Sequence, residues 1–137
     1  LLIADAGTIL SITKITSNGS FGGGQLVPGQ KLQLLAMANG AKNLKEPQKN
    51  TRELMMFPSS TEEAMQRGSI QSLLGTITEA ISDNDMPIWL CGGEMPLVIA
   101  QLQKKNFNIN HRPNLVLEGM VNILNSTNQD LDPVIFD

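Results

Sequence analysis

The first residues of the chain combine a carboxylate, a glycine and a hydroxyl where an apolar run ends. Residues 1–4 are apolar, Asp5 follows, and Gly7 and Thr8 precede a second apolar run that starts at Ile9. This pattern predicts two strands joined by a tight turn, with Asp5 at the end of the first strand. A carboxylate beside free backbone N–H groups suits a hydrated cation and a phosphate. An ordinary β-hairpin turn explains the same residues.

Two further glycine-rich segments suggest places where a ligand could approach the backbone. Gly22, Gly23 and Gly24 interrupt the apolar segment 21–27, and they indicate either close packing of a backbone or ligand, or a flexible loop. Gly92 and Gly93 lie between a short apolar run and a predicted helix. A strand, a glycine turn and a helix N-terminus can cradle a nucleotide, although the same glycines also serve tight turns without a ligand.

Composition narrows the class of protein. A chain of 137 residues forms one domain, or one lobe of a larger protein. A net charge of −3, the absence of Tyr and a single Trp argue against a nucleic-acid binder. No apolar run has membrane-spanning length, which argues against a membrane protein. One cysteine, Cys91, fits a reducing cytoplasm and is predicted to be a small buried hydrophobe. Because the chain starts inside an apparent strand without Met, we expect an N-terminal portion to be missing.

The elements that must position these residues alternate between strands and helices. The pattern predicts a three-stranded antiparallel meander, which an Asn-Gly turn at residues 18–19 favours. Further strands and helices follow, so the predicted class is α/β (α+β). The expected order is strands 1–6, 9–16 and 21–27, helix 30–39 stopped by Gly40, loop 42–58, helix 59–82, strand 86–91, helix 95–105, a polar segment 108–113, helix 114–125 and a tail 126–137.

Three of the helices have predicted apolar faces. The long one starts at a capping box of Ser59 with Glu62 or Ser60 with Glu63, so Thr61 alone is an ordinary N-terminal helix residue. The lone His111 is predicted to be a solvated loop residue. The loop 42–58 is predicted to be a mobile surface loop. The faces are formed by Leu32, Leu34, Leu35 and Ala38 in the first helix, by Ala64, Ile70, Leu73, Leu74, Ile77 and Ile81 in the long helix, and by Leu117, Met120, Val121 and Leu124 in the last.

Five segments in this order resemble the C-terminal half of a type III pantothenate kinase. They are residues 5–8 (Asp-Ala-Gly-Thr), 21–29 (Phe-Gly-Gly-Gly-Gln-Leu-Val-Pro-Gly), 60–64 (Ser-Thr-Glu-Glu-Ala), 90–94 (Leu-Cys-Gly-Gly-Glu) and 114–120 (Asn-Leu-Val-Leu-Glu-Gly-Met). The resemblance covers residues 1–124. It implies a ribonuclease H-like lobe of the actin-like ATPase superfamily, with residues 1–125 forming the lobe and 126–137 a tail.

The resemblance also implies an activity and its cofactors. The family transfers a phosphoryl group from ATP to pantothenate, giving 4'-phosphopantothenate in the first step of coenzyme A biosynthesis. It implies a cytoplasmic homodimer with the pantothenate site at the interface. It further implies a monovalent cation, K⁺ or NH₄⁺, and Mg²⁺ is the usual companion of ATP in a kinase.

Residue roles follow from the resemblance position by position. Asp5 corresponds to the cation ligand, and Gly7 and Thr8 to the ATP-phosphate contact. Gly92 and Gly93 correspond to the adenosine turn. The pantothenate pocket corresponds to Thr61, contributed across the dimer, and to the glycine-rich segment, namely Gly23, Gly24, Pro28 and Gly29.

The chain departs from the family pattern at four positions. The family carries Asp at the position of Thr13 and Thr at that of Ser11; it carries Thr at that of Cys91, and Asp or Asn at that of Glu94. Thr13 removes a carboxylate. The N-terminal phosphate loop and the Gly-x-Asp-Arg stretch with the catalytic base belong upstream of Leu1. The alternative is therefore a non-catalytic, kinase-like module that binds nucleotide or regulates, or a purely structural dimerisation lobe.

Overall fold

A five-stranded mixed sheet lies at the centre of the computed structural model, which describes residues 1–48, 54–82, 86–93, 95–103 and 107–129. The strand order is β3-β2-β1-β4-β5. The first three strands form an antiparallel meander, and β4 and β5 add in parallel to β1. The elements are β1 (Leu2–Ala6), β2 (Ile9–Ile15), β3 (Phe21–Pro28), α1 (Gln30–Gly40), α2 (Thr61–Ser82), β4 (Ile88–Cys91), α3 (Met95–Gln103), β5 (Ile109–His111) and α4 (Leu115–Gln129).

One face of the sheet, here called the covered face, carries the core. Alternate residues of a strand point to opposite faces, so small and branched apolar residues at every second position line this side. Helices α2 and α3 pack on it and exclude water from both strands and helices. The buried cluster consists of Leu2, Ala4, Ala6, Leu10 and Ile12 from the meander, Ile88 and Leu90 from β4, Leu73, Leu74, Ile77 and Ala80 from α2, and Val98, Ile99 and Leu102 from α3.

The opposite side of the same strands is here called the bare face. The pairing places Asp5 opposite Ser11 and Cys91, and Ile3 opposite Thr13 and Trp89. Apart from Cys91, these side chains are half-buried, and Leu26, which pairs with Ser11, is 78% exposed. In the ranges that the structure describes, no helix buries this face. The meander, the added parallel strands and the packing helices confirm the expected ribonuclease H-like lobe.

Some expectations about the elements are wrong. Residues 109–111 form an edge strand where the sequence predicts a polar loop segment, because parallel pairing with β4 supplies hydrogen bonds that its polar residues do not signal. His111 is exposed as predicted, but it lies in that strand. Helix α4 continues to Gln129, four residues beyond the predicted end. Helix α1 includes Gly40, its predicted stop, and none of its residues is fully buried.

The long helix differs from its predicted face at one position. Ala64 is exposed, because the helical repeat places it roughly 140° away from Ile77 around the axis. The burial in this part of α2 falls on other residues, Met65, Gln66, Arg67 and Ser69. The remaining predicted positions are buried or half-buried against the sheet, as expected.

The described part of the loop 42–58 contains no helix or strand, although Pro47 is buried. Its mobility stays a prediction, and residues 49–53 lie outside the described residues, as do Glu94, the predicted end of the third helix at 104–105 and the tail from 130. None of the described helices combines the length and apolar character that crossing a membrane requires.

Candidate functional site

The two central parallel strands end side by side, and their ends form the candidate site. Asp5 in β1 pairs with Cys91 in β4, so the turn after β1 and the turn after β4 meet at the carboxyl ends of the strands. Ligands of open α/β sheets bind at such carboxyl ends. Of the predicted site residues, the structure brings together here Asp5, Gly7, Thr8, Pro28, Gly29, Gly92 and Gly93.

The β1–β2 turn is held by the start of α1. The Gly29 amide donates to the Thr8 carbonyl oxygen at 2.9 Å, and the Gly7 amide donates to the Ile9 carbonyl oxygen at 3.2 Å. A side chain at position 29 would collide with the carbonyl oxygens of Gly7 and Thr8, so glycine is needed there for close approach. Gly29 is buried, whereas the Thr8 side chain is exposed. The turn is therefore fixed in place, with its hydroxyl free to meet a ligand.

The backbone of Gly92 packs closely on two oxygen atoms of β1. Its φ of +98° lies in the region that favours glycine. A Cβ at this position would overlap Asp5 Oδ1 and the Ala6 carbonyl oxygen. Glycine is therefore needed at position 92, where the turn after β4 passes close to the end of β1.

The Cys91 thiol lies behind this carboxylate and is 1% exposed, which confirms the predicted buried hydrophobe. Burial raises the pKa of the Cys91 thiol, and the negative charge of Asp5 raises it further. A thiol held in its neutral form is a poor nucleophile and a poor metal ligand. Cys91 thus serves as a packing group and leaves Asp5 as the charged group of the site.

The oxygens at this site suit a cation that is bound in part by a ligand. Asp5 and the Ala6 carbonyl supply one carboxylate and one backbone oxygen, the donor types that hard cations take. In the described ranges, no three His, Cys, Asp or Glu side chains converge to form a complete metal cage. A cation held by these two oxygens would therefore complete its shell with phosphate oxygens or water.

The structure separates Gly23 and Gly24 from this site. Gly24 pairs with Thr13, two positions along β3 from Leu26, which lies level with Asp5. At about 3.3 Å per residue this is roughly 7 Å further along the strand. Gly22, Gly23 and Gly24 instead line a cavity of about 420 Å³ near the start of β1, together with Leu2, Ile12, Lys14, Gln25, Glu79 and Ala80.

Thr61 lies at the N-terminal end of α2. It is the first residue of α2 and is exposed, and the Glu63 amide donates to Ser60 Oγ at 3.3 Å, so Ser60 is the helix cap. The core-facing part of α2 starts only at Ile70, about 13 Å further along the helix axis. The first turns pack on the preceding loop instead, where Gln66 Nε2 donates to the Gln48 carbonyl oxygen at 2.6 Å.

Sequence reasoning missed two features of the site region. The Ala6 carbonyl is a backbone oxygen that no residue type signals, although the glycine that directly follows β4, Gly92, is a clue. The other feature is Arg112, whose guanidinium lies 5.5 Å from the centre of the Trp89 ring on the bare face. Arg112 Nη2 also donates to Glu118 Oε2 at 2.7 Å, which fixes the start of α4 beside the sheet.

Comparison with known proteins identifies the family. A family model described as type III pantothenate kinase matches residues 1–83, more than half of the chain. The chain belongs to the type III pantothenate kinase family. A type III pantothenate kinase from Nitrosomonas eutropha is 32% identical over 147 aligned residues, covering 94% of this chain and 51% of its own length. That from Porphyromonas gingivalis is 31% identical and covers 90% of this chain and 52% of its own length.

The type III pantothenate kinase from Chromobacterium violaceum is 37% identical over a shorter stretch of 79 residues, 58% of this chain and 32% of that protein. Among solved structures, a Baf family protein from Campylobacter jejuni superposes with a TM-score of 0.65 at 19% identity, covering 95% of this chain and 59% of that one. This likeness shows a shared fold. The chain spans about half the length of the type III pantothenate kinases that it matches over most of its own length.

Proposed function

We propose that the chain is the C-terminal lobe of a type III pantothenate kinase, which phosphorylates pantothenate with ATP when a second lobe completes the site. The observation that carries the proposal is the close approach of Gly92 to Asp5 Oδ1 and the Ala6 carbonyl oxygen, where β1 and β4 end side by side. Phosphoryl transfer depends mainly on positioning and on neutralising phosphate charge. A bound cation neutralises phosphate charge, and hydrogen bonds to the phosphates at the same strand end position them.

Each residue at this strand end is proposed to make a different contact with ATP or with its cation. Asp5 and the Ala6 carbonyl would hold the monovalent cation, K⁺ or NH₄⁺, whose charge offsets that of the phosphates. The exposed Thr8 hydroxyl would donate to a phosphate oxygen, and Gly7 would allow its close approach. Gly92 and Gly93 would pass against the adenosine. Mg²⁺ would reach the site with ATP, because the described residues offer it no complete set of ligands.

The pantothenate pocket is proposed to form between subunits of a homodimer. Thr61 is exposed at the end of α2 that lies beyond the core-facing part of the helix, which supports its contribution to a neighbouring subunit. Pro28 and Gly29 adjoin the ATP end of the sheet, and Gly23 and Gly24 lie further along the same strand. The general base that takes the proton of the pantothenate hydroxyl is proposed to come from the other lobe.

The cation role of Asp5 can be tested by calorimetry of ATP binding to the 137-residue chain in K⁺ and in Na⁺. We expect K⁺ to tighten ATP binding at least about fivefold, a usual size for two coupled ligands. Asp5→Asn should abolish this difference. Glu79→Gln, which removes a carboxylate from the other end of the sheet, should keep it. A K⁺ effect that survives Asp5→Asn would exclude Asp5 as the ligand.

The substrate role of Thr61 needs the protein with both lobes, assayed by pantothenate-dependent ADP release. We expect Thr61→Ala to raise the pantothenate KM roughly 2–10-fold, the effect of losing one hydrogen bond, with a smaller change in the ATP KM. Ser59→Ala is the matched control at the same helix end. Equal changes in both KM values would contradict the assignment. ATP binding without any turnover would favour the non-catalytic module.

A further inference from the structure

Helix α2 buries a charged side chain close to its start. Arg67 is 8% exposed, and the nearby Gln66 and Ser69 are 6% and 1% exposed. The two neutral residues have hydrogen-bond partners, because Gln66 Nε2 donates to the Gln48 carbonyl oxygen and Ser69 Oγ donates to the Gln66 carbonyl oxygen at 2.8 Å. Of the buried polar residues in the described ranges, Arg67 alone carries a charge.

The hydrogen bonds of the Arg67 guanidinium are incomplete. Its Nη2 donates to Gln71 Oε1 at 3.1 Å and to Met56 Sδ at 3.3 Å. Its Nε is buried and has no hydrogen-bond partner in the part of the chain that the structure describes. A guanidinium stays protonated in a protein, and a thioether sulfur is a weak acceptor. The buried charge is therefore held by two neutral groups, one of which accepts poorly, and a buried donor without a partner is costly.

Met56 belongs to the coil before α2, and an oxidant can reach it. Met56 is 58% exposed, and the adjacent Met55 is 69% exposed. Among the described residues, the Arg67 guanidinium donates to the sulfur of Met56 and not to that of Met55. The two neighbouring methionines therefore share their exposure and their chemistry, but a product formed on the sulfur meets a charged donor only at Met56.

We propose that Met56 is a site of reversible oxidation, where the sulfoxide oxygen accepts the hydrogen bonds that Arg67 makes poorly with the thioether. The oxidant is a peroxide, in its simplest form hydrogen peroxide. The Met56 sulfur gives an electron pair to one peroxide oxygen, so an S–O bond forms while the O–O bond breaks, and a proton moves to the departing oxygen to give water. Sulfur loses two electrons and the peroxide gains them. Methionine sulfoxide reductases reverse this modification.

The sulfoxide should strengthen the contact between the coil and the helix. Oxidation usually weakens the packing of a methionine, because it makes an apolar side chain polar. At Met56 the new oxygen instead lies beside a guanidinium with a buried Nε that lacks an acceptor. Hydrogen bonds from a charged donor are roughly twice as strong as those between neutral groups. Oxidation therefore fastens the coil around Met56 to α2 rather than releasing it.

This proposal is independent of the proposed function, because neither Met56 nor Arg67 is assigned to ATP or to pantothenate. The coil leads to Ser60, which caps α2. A coil that is held more firmly on Arg67 also holds the start of this helix, so the stability of the fold reports on the contact without any assay of activity.

A pair of glutamine substitutions tests the contact without an oxidant. Glutamine is unbranched like methionine, and its amide oxygen is a good acceptor that stands in for the sulfoxide oxygen. We expect Met56→Gln to raise the Tm of the 137-residue chain by about 2–6 °C, the effect of one stronger hydrogen bond in a domain of this size. Met55→Gln is the matched control and should shift the Tm by less than about 1 °C, as an exposed substitution does.

Treatment with hydrogen peroxide tests the modification itself. Met55→Leu keeps Met56, and Met56→Leu keeps Met55, so the other methionines are the same in both variants. Peptide mass spectrometry records the sulfoxide at each position. We expect oxidation to change the Tm of Met55→Leu more favourably than that of Met56→Leu, by about 2–6 °C. Adding Arg67→Gln to Met55→Leu should remove this advantage, and Arg67→Met replaces Arg67→Gln if circular dichroism shows that the variant is unfolded.

A sulfoxide at Met56 with the expected difference, lost without Arg67, supports the proposal. Three results would overturn it. They are a Met56 that peroxide does not oxidise in the folded chain, equal Tm shifts from oxidation at the two positions, and an advantage that survives the loss of Arg67.

Discussion

The two faces of the sheet are made by the same strands, yet one face carries the core and the other remains open. On the covered face, Leu2, Ala4 and Ala6 of β1 are almost completely buried beneath α2 and α3. On the bare face, Ile3 and Asp5 of the same strand remain partly open to solvent. A single residue step along β1 thus separates a side chain that stabilises the fold from one that is available for chemistry or for a partner.

This difference shows how a small domain keeps a charged group accessible without losing its core. Burial of a carboxylate is costly unless it is paired, so Asp5 is best placed on the side that helices leave open. The apolar residues that share the bare face do not need to contribute to the stability of this domain. Several of these side chains, among them Leu26, are exposed in the described part of the chain.

Truncating one leucine on each face shows directly how much each face contributes to the free energy of unfolding. We expect the largest effect of all the variants here. Leu10 is 0% exposed on the covered face, and Leu26 is 78% exposed on the bare face. We expect Leu10→Ala to lower the free energy of unfolding by about 2–5 kcal/mol, since it leaves a cavity. Leu26→Ala should change it by less than about 0.5 kcal/mol in dilute solution. Urea unfolding measures both, and similar losses would show that the bare face is part of the core.

Substitution of two adjacent glycines tests how closely the turn after β4 approaches Asp5 at the site end of the sheet. Gly92 has a φ of +98°, and an added Cβ would meet the backbone of Ala6 and the Asp5 carboxylate. We expect Gly92→Ala to destabilise the fold by about 1–3 kcal/mol through backbone strain, and to displace Asp5. An added Cβ at Gly93 meets nothing within 4 Å, so Gly93→Ala is the matched control. Equal stability of the two variants in urea would contradict the close approach over Asp5.

The sequence predicts the covered face better than the rest of the molecule. Alternating apolar residues in β1 and β2 and the glycine-marked turns indicate the meander. Of the two predicted capping boxes, that of Ser60 is formed, and α2 begins at Thr61, two residues after the predicted start. Strand β5 could not be predicted, because its three residues gain their structure from pairing with β4 rather than from their own pattern. Short edge strands depend on such tertiary pairing.

The candidate site was predictable in part, for a similar reason. Asp5, Thr8 and Gly92 stand at the ends of strands that the pattern predicts, so their meeting follows once β1 and β4 pair in parallel. The distance of Gly24 from Asp5 depends on register, which residue types alone do not determine. The resemblance groups Gly23 and Gly24 with Pro28 and Gly29, whereas the strand spreads them along its length. Their roles stay predictions.

Removing the contact of Arg112 that fixes α4 beside the bare face should have the smallest effect on stability. It should nevertheless change the fluorescence of Trp89 clearly. Arg112 lies over Trp89, the single Trp of a chain without Tyr, so intrinsic fluorescence reports on this contact alone. The Arg112–Glu118 pair is exposed, and we expect Arg112→Ala to cost less than about 1 kcal/mol in urea unfolding. The Trp89 emission should shift to longer wavelength as water replaces the guanidinium. Arg112→Lys keeps the charge but loses the planar stacking, so it should shift the emission in the same direction. An unchanged spectrum in both variants would mean that Arg112 does not lie over Trp89 and does not hold the start of α4 beside the sheet.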